Sequence, residues 1–174
     1  MSYVPSHVNP TLLAQPRALT IIEHTAGTSQ TISNGNRIQI GTVHNWYNSF
    51  SPTISNNKIT LSSGYYYYIE STVQAYQLNI GFNLSGYLTY KHYDETNATD
   101  IGVNGTTWQA GSGPDYHTFA RDSVARALID CTSSSIDISI KVKNSLNCDR
   151  INYNLAQYIY AGLGRTVIWQ LENT

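Results

Sequence analysis

Charge is scarce in this chain. Charged side chains make up 12% of its 174 residues, 10 Lys and Arg against 11 Asp and Glu, for a net charge of −1. A soluble domain usually carries about twice that share, so much of the surface is expected to be uncharged or covered. The cations are scattered singly, without the basic patch that nucleic-acid or anionic-membrane binding needs. No nucleic-acid partner and no membrane partner is expected. Cysteine is nearly missing: Cys131 and Cys148 stand alone, lack the Cys-x-x-Cys spacing of a zinc site, and read as buried free thiols. No stretch approaches the roughly 18 apolar residues of a membrane span. Met1-Ser2-Tyr3-Val4-Pro5 has neither the basic nor the apolar region of a secretory signal, so synthesis inside a cell is expected. The glycosylation-type triplets at Asn83, Asn97 and Asn104 then read as chance.

Catalytic signatures are missing as well. His7, His24, His44, His92 and His117 are dispersed, with no paired metal-ligand spacing. There is no Gly-x-Ser-x-Gly elbow. Gly162-Leu163-Gly164 runs on into a strand pattern, so it is a turn and not a phosphate cradle at a helix start. Asp94, Glu95 and Asp100 lack the glycine-bearing rhythm of a calcium loop and read as a solvated loop. The expectation is no enzyme, no catalytic residue, no metal site and no cofactor.

What is present is tyrosine and alternation. A chain of 174 residues makes one domain, large enough to bury about 70% of its unfolded surface without a disulfide or metal. Tyr supplies 14 aromatics against three each of Phe and Trp. It can bury its ring while its hydroxyl stays wet, which suits interfaces; a wet Tyr/Asn-rich surface is the other reading. Lys58 to Leu61 alternates, meets a Ser-Ser-Gly turn, and leads into Tyr65-Tyr66-Tyr67-Tyr68-Ile69. That run predicts a strand of about ten residues with both faces apolar. Tyr65, Tyr67, Ile69, Val73 and Ala75 share one side, and Tyr66, Tyr68 and Tyr76 the other. Such a strand is either sandwiched within its own subunit or covered by another copy.

Elsewhere Ala18 to Glu23, Arg37 to Val43, Ile136 to Lys143 and Thr166 to Glu172 read as strands. Gln77 to Tyr93 reads as a strand pair turning at Ser85-Gly86, and Asp94 to Pro114 as a long turn-rich passage. Asn34-Gly35 signals a tight turn. Val124 to Asp130 and Ile136 to Lys143, joined by the four residues Thr132 to Ser135, predict a hairpin. In it Cys131 would lie opposite about residue 136, too far from Cys148 for a cross-strand disulfide. Trp46, Tyr47, Trp108 and Tyr116 fall in expected loops, as ligand-stacking platforms or as caps on the end of the core. Residues 1–17 carry Pro5, Pro10 and Pro16 among apolar side chains, which forbids a helix. They form either an arm docking on a partner or a terminus laid across its own domain. With about eight to ten strands at short spacing and no amphipathic helix, the expected fold is all-β, a two-sheet jelly-roll sandwich (residues 18–174) with an extended N-terminal arm (1–17).

The order of these features resembles the trimeric jelly-roll of tumour necrosis factor and of the complement-type globular heads. Gly64-Tyr65-Tyr66 is similar to those families' Gly-x-Tyr pattern, and Val167-Ile168-Trp169 to their closing aromatic strand. The chain departs from the complement-type heads in having no collagen-like stalk and no Phe-Gly-rich ending. The resemblance implies a homotrimer with Tyr65, Tyr66, Tyr67, Tyr68 and Trp169 in its core or subunit interface. The family's glycine offset puts Tyr66 and Tyr68 in the core, while Glu70 beside them argues for the interface side.

Chains of this kind without signal or stalk resemble virion proteins of tailed bacteriophages, such as capsid decoration (cement) proteins and fibre heads. That implies a structural protein made in the host cytoplasm and residing in the virion. Its partners would be itself and the major capsid protein, gripped through Tyr3, Val4, Pro5, Val8, Pro10, Leu12 and Leu13 by strand addition. The alternative is a carbohydrate-binding fibre or spike head, with a glycan held on the aromatic loops.

Overall fold

The computed structural model describes residues 16–24, 29–31, 33–47, 50–73, 85–110, 123–146, 150–152 and 164–171. Among these every regular element is a strand: β1 (Pro16–His24), β2 (Ser29–Thr31), β3 (Ile40–Tyr47), β4 (Thr53–Ser55), β5 (Lys58–Leu61), β6 (Tyr66–Thr72), β7 (Ser85–Asp94), β8 (Thr99–Ala110), β9 (Ala125–Asp130), β10 (Ile136–Leu146), β11 (Arg150–Asn152) and β12 (Arg165–Leu171). Ten of them form one antiparallel sheet in the order β3-β1-β12-β6-β9-β8-β7-β10-β5-β4, and β2 pairs with β11 separately.

Alternation decides which side of each strand is buried. Ala125, Ala127 and Ile129 of β9 point inward, as do Ile136, Ile138, Ile140 and Val142 of β10 and Thr166, Ile168 and Gln170 of β12. The sheet curls so that these inner faces pack together around Tyr67, Ile69, Leu88, Tyr90, Ile59 and Leu61. A curled sheet with one dry face hides its apolar side chains and leaves the outer side free.

The two five-strand halves, β3-β1-β12-β6-β9 and β8-β7-β10-β5-β4, join through the pair Val103↔Arg126, next to the bridge Thr106↔Ser123. Glycine makes this seam feasible. Gly102 has φ +71, and a Cβ there would lie 1.9 Å from the Arg126 carbonyl oxygen; at Gly105 it would lie 2.4 Å from the Tyr90 ring. No other residue allows β8 to approach β9 and Tyr90 so closely.

Several sequence expectations change. β9 and β10 do not form a hairpin: β9 pairs with β6, and β10 with β5 and β7. The links after β5 and before β10 run side by side, with Gly64 N–H donating to the Cys131 carbonyl (2.8 Å) and Cys131 N–H to the Tyr65 carbonyl (3.0 Å). A short link serves a crossing between halves as well as a hairpin, so its length does not decide. The pairs β1–β12, β5–β10, β6–β9 and β7–β8 are nested one inside another.

Ser85-Gly86 is not a turn but the start of β7, and residues 77–84 lie outside the described residues. The passage from Asp94 is mostly strand. A tight turn at 95–98 is held by the Asp94 carboxylate, which accepts from the Thr96 and Asn97 amides (2.9 Å each) and from Asn97 Nδ2 (2.8 Å). β8 then runs to Ala110. Within that passage Gly105 is not a turn residue but a glycine of close approach. β2 was not expected, while Asn34-Gly35 does turn, with Gly35 at φ 85.

Candidate functional site

The outward side chains of four neighbouring strands form an apolar surface. Register brings Leu19 (β1), Trp169 (β12), Tyr68 (β6) and Leu128 (β9) abreast in one row. The row crosses three strand spacings, about 14 Å. Tyr68 and Trp169 pack with ring centroids 5.4 Å apart at 44°. Together with Leu128 and Leu171 they line a concavity of about 410 Å³. Leu128 is 67% exposed, among the large apolar side chains most open to water, and Val103 at the seam is 58% exposed. An apolar row this wide beside an apolar hollow is the kind of surface that another molecule covers.

A short polar strip borders it. Arg126 Nε donates to Glu70 Oε1 at 2.8 Å, and the Tyr68 hydroxyl donates to the same oxygen at 2.9 Å. Burial, and then the bond to Glu70, raises the Tyr68 phenol above its ordinary value. The hydroxyl therefore stays a donor at all physiological pH, and the ring presents its apolar body outward.

The outer face of the other half is ionic. Arg37 holds Glu95 with two bonds of 2.7 and 2.8 Å; Ser139 Oγ donates to Glu95 at 2.6 Å, and Lys141 Nζ lies 3.2 Å from it. The Arg37 guanidinium is the main reason that the Glu95 carboxyl drops to about 2. Lys141 also sits 3.3 Å from the Tyr93 ring centroid. Lys58 and Thr60 bind Asp137, chiefly the Thr60 hydroxyl lowering its pKa, and Lys143 binds Asp100 at 2.8 Å. Asp94, Glu95 and Asp100 thus serve separate partners: the 95–98 turn, Arg37 with Lys141, and Lys143.

The residues expected at a subunit interface divide. Tyr67 is fully buried, its hydroxyl donating to the Ser62 carbonyl (3.1 Å) and accepting from Gln170 Nε2 (3.2 Å). Tyr65 packs against the core edge under the Arg17 guanidinium, 5.4 Å from its ring. Tyr66 and Tyr68 are on the outer side. The offset that put those two in the core is therefore overturned: Tyr67, Ile69, Ser71 and Val73 take the interior. Trp169 joins Tyr68 outside.

Trp46, Tyr47 and Trp108 are on strands and not in loops, the first two in β3 and the third in β8, where Trp108 pairs with Tyr87. Tyr116 and the arm residues Tyr3, Val4, Pro5, Val8, Pro10, Leu12 and Leu13 lie outside the described residues, while Pro16 and Arg17 belong to β1. Leu128, Leu171 and Leu19 were missed by sequence reasoning. The available signal was parity: Leu128 is the apolar residue among the outward positions Arg126, Leu128 and Asp130. No protein-family model and no curated protein matches the chain.

Proposed function

We propose that the chain is a non-enzymatic structural module of jelly-roll type that assembles with copies of itself, as a homotrimer, through the outer face of β1, β12, β6 and β9. The observation that carries this reading is the row Leu19–Trp169–Tyr68–Leu128, left open to water in a chain otherwise able to sort its side chains. The nested pairs β1–β12, β5–β10, β6–β9 and β7–β8 support the jelly-roll, a long hairpin folded over on itself. A second copy suits the face because aromatic and branched side chains pack best on their own kind, while Glu70 and Arg126 offer charges of both signs at the border. Leu128 and Leu171 beside the rings favour an apolar occupant over a sugar, which needs donors and acceptors around its hydroxyls.

The setting that fits such a module is a virion, with the trimer decorating a capsid and the N-terminal arm, the residues ahead of β1, gripping the shell proteins. Three arms on one trimer act by avidity, so each contact can be weak. Light scattering on the purified protein at two concentrations tests the assembly. A mass near three times 19.4 kDa at both is expected, and a clean monomer at both overturns the reading. Deleting residues 1–15, ahead of β1, is expected to keep the trimer and abolish particle binding; undiminished binding by the truncated trimer overturns the role of the arm.

A further inference from the structure

Behind the apolar face, the interior holds a polar chain that the assembly does not use. His24 Nε2 lies 3.1 Å from Thr166 Oγ1, Thr166 Oγ1 2.8 Å from Ser71 Oγ, and Ser71 Oγ 2.9 Å from His92 Nε2. It crosses the molecule from β1 through β12 and β6 to β7 in the opposite half. His24 is 1% exposed and the other three are fully buried. Among the described residues neither Nδ1 atom, both buried, has a hydrogen-bond partner, which is uncommon and costly for an imidazole.

Proton counting shows what the chain accommodates. Its three bonds need three protons, and the two hydroxyls supply one each. One ring therefore donates from Nε2, and when both hydroxyls donate along the chain the other ring accepts there. Two neutral rings satisfy it. A further proton must either go onto an orphaned Nδ1 or displace a hydroxyl donor from Nε2, and in both cases it brings a buried positive charge.

Among the described residues no charged partner is placed to receive that charge. Around His24, β3 brings Ile40, β12 brings Thr166 and Gly164, and β6 brings Ser71 and the Thr72 backbone. Around His92, β8 brings Ile101, β10 brings Ile140, and β6 brings Ser71. On β7 itself the next inward groups are Tyr90, bonded to the Val73 amide and the Ser123 carbonyl, and Asp94, whose oxygens hold the 95–98 turn. Glu23 pairs outside with His44. Among the described residues neither buried ring has an ion-pair partner.

We propose that His24 and His92, joined through Thr166 and Ser71, are an acid-operated latch that opens the interior between the two halves when the rings take up protons. Burial lowers His24 from 6.5 to about 3, helped by His92, and burial lowers His92 from 6.5 to about 4. Because the native values lie below the unfolded ones, the unfolded chain binds the extra protons. Stability is therefore full above 6.5 and falls as pH drops below it, until the native rings also protonate. Two rings give up to about a hundredfold change in the folding equilibrium per pH unit, tenfold for each. The carboxylates act lower: Glu95, held at about 2, loses its contribution only below its ordinary 4.5.

The latch does not depend on whether copies associate, and its test reads stability and not mass. Urea denaturation at fixed protein concentration, from pH 7.5 to 4.5, is expected to show the steep loss for the unaltered chain and about tenfold less per pH unit for each of His24→Gln and His92→Gln. Glutamine keeps a nitrogen where Nε2 bonds. An unchanged slope in the double variant overturns the latch. Should the variants fail to fold, histidine NMR on the unaltered protein decides. Two of the five histidines staying silent between pH 7 and 5 is the expected result, and titration of all five near 6.5 overturns it.

Discussion

On β12, β6 and β9 the outward positions hold Val167, Trp169, Leu171, Tyr66, Tyr68 and Leu128 alongside Arg165, Glu70, Thr72, Arg126 and Asp130, whereas on β5, β7 and β10 they include Lys58, Thr60, Lys91, Tyr93, Asp137, Lys141 and Lys143. Both halves obey the same inward alternation, so neither face is needed for the core. The difference concerns what lies outside. Ion pairs keep their value beside water and lose it when both partners are desolvated, while exposed Leu and Trp gain only when water is removed. A chain with 12% charged residues builds its larger ionic networks on one face and gives the other an apolar row beside the Arg126–Glu70 pair.

The comparison can be broken at its seam first. Gly102→Val places a β-branched side chain at φ +71 and against the Arg126 carbonyl, which should cost about 4 kcal/mol or more and appear as a large drop in the urea midpoint. Next, Leu128→Arg puts a charge at the β9 end of the apolar row, beside the hollow lined by Tyr68 and Trp169. Its expected effect is a loss of association of about 3 kcal/mol, read by light scattering as a shift to 19.4 kDa at micromolar protein, with the monomer still folded. Retention of the assembled mass would place the subunit contact elsewhere.

On the ionic face Glu95→Gln should leave mass unchanged and lower stability by about 2 kcal/mol at neutral pH. Glu95 has its native value below its unfolded one, so its contribution is present above 4.5 and disappears as pH falls towards about 2. The variant should therefore show a flatter acid branch in that window alone. Smallest is Lys143→Ala, which breaks the half-exposed pair with Asp100. Its expected cost is under about 0.5 kcal/mol, vanishing in high salt; a cost above about 1 kcal/mol would mean that this face, too, is shielded from water.

Much of the fold was legible. Ala18 to Glu23, Lys58 to Leu61, Ile136 to Lys143 and Thr166 to Leu171 are strands because β-branched residues alternate there, and period-2 patterning survives any tertiary context. Less legible were the places where one signal has two physical causes. A glycine such as Gly105 serves a turn or a close approach, and a short link such as 132–135 serves a hairpin or a crossing. The candidate site was half visible. Tyr68 and Trp169 stood out by type, but Leu128 lies on a strand whose inward residues are Ala125 and Ala127, so its outward direction depends on what β9 faces.

The sequence by itself determined that the chain builds strands, and that the Tyr65–Tyr68 run puts aromatic rings on both sides of its strand. Composition and alternation are local properties, written in the order of residues. Only the tertiary structure decided that Tyr67 goes inside and Tyr68 outside, that β9 leaves β10 for β6, and that His24 and His92 meet across Thr166 and Ser71. These depend on which distant strands come together, and where both parities of a strand are apolar the pattern is symmetric and only the packing partner breaks the tie.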